Sequence, residues 1–238
     1  MTNYLWMHYH IPKTGGTSFG THLRALSNGD GRYLSVTVHE HPGNMTPAQV
    51  LAASPDTFES VEIVQGHGVG RFLKAVIPRP CVREIFVLRD PATRLVSHYN
   101  FTYRDVPEHQ IPSLENHLMR VAPDYSLRFL ARRLGYRIDK YTLDRVLADL
   151  AAGFTLTLDR LNEAVPAICR AMGYEGGPPP SMNVSGKAHP ERVKMTDALY
   201  AKLIDLNPLD NALYQAAEYF ENDTIAKLRS LQPGGSSC

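Results

Sequence analysis

Tyr4–Leu26, YLWMHYHIPKTGGTSFGTHLRAL, is the stretch from which the rest of the chain can be read. Tyr4, Leu5, Trp6, Met7 and Tyr9 form an apolar, aromatic-rich run of strand length. Ile11-Pro12 ends it, because proline has no N–H to give to a strand ladder. Lys13-Thr14-Gly15-Gly16-Thr17-Ser18 then supplies a cation, two glycines and three hydroxyls. Phe19, Leu23 and Leu26 follow at helical spacing. A strand, a glycine turn and a helix start make a natural anion site. The first N–H groups of a helix have no partners, the helix dipole adds partial positive charge, and glycine lets the backbone approach a phosphate closely. Many such turns bind nothing, but the lysine and hydroxyls crowded around these glycines favour a phosphate. The segment is not a Walker A loop, which places its lysine after the glycines. An ordinary ATP or GTP hydrolase is therefore disfavoured, while a phosphate-bearing ligand is not.

The whole chain sets outer bounds. It has 238 residues, 43% hydrophobic and 21% charged, ordinary values for one globular core. A formal net charge of +1 gives no global field toward nucleic acid or a membrane surface, so an anion site must be local. Cys81, Cys169 and Cys238 show neither metal spacing nor a disulfide framework, which suggests a reducing compartment. No run approaches the length of a membrane span, so the expectation is a cytoplasmic protein without an integral membrane segment.

Working outward, Leu34–Val38 reads as a short strand. His39-Glu40-His41 follows in a loop, where His41 is either ordinary loop polarity, an acceptor contact or a metal ligand. Thr46-Pro47 reads as a helix cap with proline in the first turn. Val61–Val64 is a strand with Gln65-Gly66-His67-Gly68 at its carboxyl end. Open α/β sheets hold ligands there, and His67 between two glycines can face one. Val82–Leu88 is the next strand, followed at once by Arg89-Asp90-Pro91, with Asp90 as N-cap. Arg89 falls beside a helix start and Ser97 about two turns in, a fork and a hydroxyl suited to a second phosphate. From Ser113 the chain turns largely helical. Arg120, Arg128, Arg132, Arg133 and Arg137 make that region basic, as solvated surface or as a groove for an anionic acceptor. Phe154–Leu158 is a further strand, Gly176–Pro180 a stiff turn-rich linker, and Ser181–Lys187 a polar loop. Helices over Thr196–Leu206 and Leu209–Leu231 close the chain. The expected organisation is one domain over 1–232 and a frayed tail over 233–238.

Two segments make the pattern recognisable. His10–Ser18 resembles the 5′-phosphosulfate loop of the sulfotransferases that use 3′-phosphoadenosine 5′-phosphosulfate (PAPS). Val87–Tyr99 resembles their 3′-phosphate segment, with the arginine-to-serine spacing kept. Gln65-Gly66-His67-Gly68 falls where the carbohydrate branch, the heparan sulfate and uronyl 2-O-sulfotransferases, carries a glycine–histidine catalytic motif. Asn183-Val184-Ser185 is similar to a later, weaker motif near the nucleotide, with Lys187 close behind. The resemblance covers about a fifth of the chain, and the region after Arg104 does not visibly match the family's acceptor-binding segments. It implies a mostly parallel sheet flanked by helices, a P-loop-like nucleotide-binding architecture and a helical C-terminal half. It also implies PAPS as sulfuryl donor, with the bisphosphate PAP as product and no metal.

The roles that follow are expectations. His67 is the base, with Glu62, His41 and His98 next in line. Lys13 stabilises the leaving oxygen. Thr14, Gly15, Gly16, Thr17 and Ser18 hold the 5′-phosphate, Arg89 and Ser97 the 3′-phosphate, and Asn183, Ser185 and Lys187 lie near the nucleotide. His41, Arg94, Tyr99 and Arg104 are candidate acceptor contacts. The acceptor is a hydroxyl, by resemblance on a carbohydrate or glycolipid. The competing readings are a nucleotide kinase or other phosphotransferase, and a non-catalytic nucleotide- or carbohydrate-binding protein of the same fold.

Overall fold

A computed structural model describes residues 4–77, 79–175 and 193–232. In chain order the elements are β1 (Tyr4–Tyr9), α1 (Gly16–Ser27), β2 (Tyr33–Ser35), α2 (Pro47–Ala52), β3 (Ile63–Gly66), α3 (Leu73–Val76), β4 (Cys81–Leu88), α4 (Pro91–Thr102), α5 (Leu114–Leu118), α6 (Tyr125–Arg133), α7 (Thr142–Ala152), β5 (Phe154–Thr157), α8 (Leu158–Ala171), α9 (Asp197–Asp205) and α10 (Pro208–Ser230). The five strands form one sheet in the order β2-β3-β1-β4-β5, and every pairing is parallel. The expected parallel α/β sheet is therefore present. The tail over 233–238 and the loop Ser181–Lys187 lie outside the described residues.

Residue alternation in the central strand divides the interior. Leu5, Met7 and Tyr9 pack on one face with Val64, Phe86 and Leu88, against Leu127, Leu130, Val146 and Leu150 from α6 and α7. Tyr4 and Trp6 pack on the other with Ile63, Ile85 and Val87, against Phe19, Leu23, Leu161, Val165 and Ile168 from α1 and α8. A strand buried on both faces reads as a continuous apolar run, as β1 does. The edge strand β2 is shorter than its run of sequence suggested, because from Val36 onward the chain bridges to Met45. There Val36 N–H donates to the Gln65 carbonyl, while Met45 N–H donates to that of Ser35.

The helices start for identifiable reasons. Thr46 and Gln49 close a capping box on α2. The Asp90 carboxylate accepts from Thr93 N–H at 2.8 Å at the head of α4. The N-termini of α6 and α10 cap each other. Buried Asp210 accepts from Ser126 and Leu127 N–H, while Asp124 accepts from Leu209 and Asp210 N–H. Cys169 is a buried free thiol. Cys81 is disulfide-bonded, which departs from the expectation of no disulfide.

The strand order has a functional consequence. From β1 the chain moves outward to β2 and back to β3, then crosses β1 to reach β4 and β5. The crossovers after β1 and β4 therefore diverge at the carboxyl edge, where open parallel sheets leave a crevice. Lys13, His67 and Arg89 all lie at that edge.

Candidate functional site

The loop after β1 is held in an uncommon shape. Lys13 has φ 71° and Gly15 φ 78°, so two of three successive residues are left-handed. That is usual for glycine and costly for lysine, and such strain concentrates at ligand sites. The Thr14 hydroxyl turns inward and donates to the Ile11 carbonyl at 2.9 Å, so it shapes the loop from within. The first hydrogen bond of α1 is Phe19 N–H to the Gly15 carbonyl at 3.2 Å. Gly16, Thr17 and Ser18 lie ahead of it, with the N–H groups that a helix start leaves open. Gly15, the N-cap, provides no side chain to take them.

The segment after β4 docks on this loop. Arg89 donates from one terminal nitrogen to the Lys13 carbonyl at 3.2 Å, and from Nε to the Thr93 hydroxyl at 3.3 Å. The Lys13 ammonium lies 4.0 Å from the ring centre of Phe101, and Arg104 stacks on the same ring at 4.6 Å. Residues four apart share a helix face, so Thr93, Ser97 and Phe101 form one stripe. Both of its ends touch the Lys13–Arg89 pair, which directs Ser97 to the same side.

His67 joins from β3. Its Nδ1 lies 2.7 Å from the His10 carbonyl, and its ring stacks on that of His10 at 4.0 Å. The flanking glycines have a steric cause. A Cβ on Gly66 would be 2.1 Å from the Val36 carbonyl, and Gly66 has φ 139°. A cavity of about 230 Å³ opens beside His67, lined also by Thr17, Thr21, Arg24, Tyr33 and Thr37.

The charge in this region is lopsided. Burial lowers the Lys13 pKa, and repulsion from Arg89 and Arg104 adds to the effect. Burial lowers that of Arg89, opposed by Asp159 and Asp90. His98 is pushed down to about 4 by burial, His117, Arg94 and Lys13. Burial lowers His67 below its ordinary value; the bond to His10 opposes this and Arg133 reinforces it. His67 is therefore a neutral imidazole near pH 7, among cations that favour an anionic ligand.

The other expected residues separate into groups. Arg94 is 1% exposed, 3.9 Å from Asp210 and stacked on Tyr125, so it is buried beneath the site rather than presented to an acceptor. Tyr99 is likewise buried, its hydroxyl donating to the Pro112 carbonyl at 2.7 Å. His41 is exposed on its loop with Nδ1 3.1 Å from the Pro42 carbonyl. Arg104 is exposed beside Phe101 and Asp105. Of the alternative bases, Glu62 pairs with Arg32, and His98 faces His117 at 3.4 Å. Asn183, Ser185 and Lys187 lie outside the described residues. Residues that the sequence did not single out are His10, Gln65, Tyr33, Thr93 and Phe101. His10, Gln65 and Thr93 fall inside the motif segments without a role read for them, Phe101 lies one helical turn past Ser97, and Tyr33 carries no sequence signal.

Among the described residues no group of three or more His, Cys, Asp or Glu side chains is placed to hold a metal ion. No helix among them is long and apolar enough to cross a membrane. No protein-family model matches the chain, and no curated protein matches it at a significant level.

Proposed function

We propose that this chain is a sulfotransferase that moves a sulfuryl group from 3′-phosphoadenosine 5′-phosphosulfate to an acceptor hydroxyl on a carbohydrate or glycolipid. The observation that carries the reading is the Lys13–Arg89 contact at 3.2 Å. It joins an open helix N-terminus to an arginine fork at the diverging crossovers of a parallel sheet. Phosphate at both ends of one nucleoside asks for such a pair of sites. The P-loop-like architecture belongs to this proposal and draws on the same strand order.

The residues divide the chemistry among them. The open N–H groups of Gly16, Thr17 and Ser18 hold the 5′-phosphate, and Arg89 and Ser97 hold the 3′-phosphate. The acceptor oxygen forms its bond to sulfur as the bond from sulfur to the bridging phosphate oxygen breaks. His67 Nε2 takes the hydroxyl proton. The electron pair of the broken bond stays on the phosphate, and the Lys13 ammonium offsets the charge that develops there. The cavity beside His67 admits the acceptor. Hydroxyls from Thr17, Thr21, Tyr33 and Thr37 line it and suit a polyhydroxylated ring.

Incubation with isotopically labelled PAPS and a panel of saccharides and glycolipids, followed by mass spectrometry, tests this directly. The expected product is a sulfate monoester together with the 3′,5′-bisphosphate. Magnesium-dependent ATP turnover without sulfuryl transfer would favour a phosphotransferase instead.

A further inference from the structure

We propose that the His10 carbonyl holds His67 as its Nδ1–H tautomer, leaving Nε2 unprotonated toward the acceptor cavity, and that Gln65 is a positioning residue that keeps the stacked His10 ring neutral beside it. The purpose of the arrangement rests on the sulfuryl-transfer reading, whereas the arrangement itself rests on hydrogen-bond geometry.

The protons can be assigned because two partners in the network only accept. His67 Nδ1 lies 2.7 Å from the His10 carbonyl. A carbonyl oxygen has no hydrogen to give, so Nδ1 carries one, and a neutral ring then has its lone pair on Nε2. The Gln65 amide lies 3.0 Å from the Gly16 carbonyl, which requires its NH2 group there. The second hydrogen of that NH2 meets His10 Nδ1 at 3.2 Å. His10 therefore accepts at Nδ1 and keeps its proton on Nε2. The Tyr33 hydroxyl completes the chain by donating to Gln65 Oε1 at 2.8 Å.

The backbone of α1 is cut to fit this network. A Cβ on Gly16 would lie 2.0 Å from the His10 ring, and one on Gly20 would lie 2.5 Å from Gln65 Oε1. One helical turn apart, the two glycines form the slot in which His10 and Gln65 lie. Gly16 thus serves both the anion loop and the base. The neutral His10 ring stacks on His67 at 4.0 Å and 27°, and on His8 at 5.9 Å and 14°. The charged groups acting on His67 and His10 are Arg133 and Lys13, both cationic. A second imidazolium in the stack would oppose proton uptake by His67. The amide donor on His10 Nδ1 favours the neutral ring.

The test is long-range ¹H–¹⁵N correlation of the histidine rings in the labelled full-length chain near pH 7, together with turnover of Gln65→Met. Methionine keeps the volume and removes both donors. In the unaltered chain, His67 is expected to show a protonated-type Nδ1 and a free Nε2, and His10 the reverse. In Gln65→Met, His10 should lose its single tautomer and turnover should fall about tenfold or more, with the donor KM within about twofold. A protonated Nε2 on His67 in the unaltered chain overturns the proposal, whether or not the variant folds. So does a Gln65→Met protein with unchanged tautomers and turnover. If the unaltered chain transfers sulfuryl to no acceptor, the activity reading fails, and the ring spectra still decide the positioning.

Discussion

Two strand-to-helix junctions meet at the carboxyl edge of this sheet, and they present themselves differently. The junction after β1 is bent through left-handed Lys13 and Gly15 and enters α1 with no side-chain cap. What it offers is backbone. The junction after β4 enters α4 under the Asp90 cap, so a helix-start donor is already taken. What it offers is side chains, Arg89 bonded to Thr93, with Ser97 one turn further along the same helix face. The first should therefore be damaged by adding atoms, and the second by removing them.

The largest effect should come from the residue between the junctions. His67→Ala is expected to lower turnover by on the order of 10²–10⁴ while nucleotide affinity is nearly unchanged. Turnover that survived would move the base elsewhere and remove the reason for the junctions to face His67. Gly16→Ala tests the backbone junction. Its Cβ would be 2.0 Å from the His10 ring. The expected result is a loss of roughly 1–3 kcal/mol in stability by thermal melting, together with weakened nucleotide binding. A variant with native melting and native affinity would show that the loop yields, against the rigid-backbone account.

Acid tests the same junction through its protons. Burial holds His8 down at about 3 and keeps His10 and His67 below their ordinary value. Each of these pKa values is lower in the folded chain than in the unfolded one. As pH falls below about 6.5 the unfolded chain takes up protons first, so stability present above that pH is lost progressively toward the folded values. Melting temperature should be level from about pH 7 to 8 and decline from about 6.5 to 5. A flat profile over the lower range would contradict the stacked neutral histidines at the first junction.

The sequence made the frame of the fold legible. β1, β3, β4 and β5 are apolar runs bounded by glycine or Asp-Pro signals, and Thr46 and Asp90 cap as their residue types suggest. The short helix α3 was not foreseen, since four residues carry too little periodicity to register. In the site, Lys13 and Arg89 were legible because each stands in a local motif. Gln65, Tyr33 and His10 were not, since their roles come from contacts across 55 and 32 positions of chain. Arg94 shows the converse. Its motif position suggested an exposed contact, but the reciprocal capping of α6 and α10 brings Asp210 over it. Nothing local to residues 89–104 signals that.

The central claim is that the two junctions hold two different phosphates of one nucleotide. Calorimetric titration of the unaltered chain and of Arg89→Ala with adenosine 3′,5′-bisphosphate and with adenosine 5′-monophosphate tests it most directly. The unaltered chain should prefer the bisphosphate, and Arg89→Ala should lose ~1.5–3 kcal/mol of bisphosphate affinity with little change toward the monophosphate. Equal affinity of the unaltered chain for both nucleotides, or an unchanged bisphosphate affinity in Arg89→Ala, would contradict it.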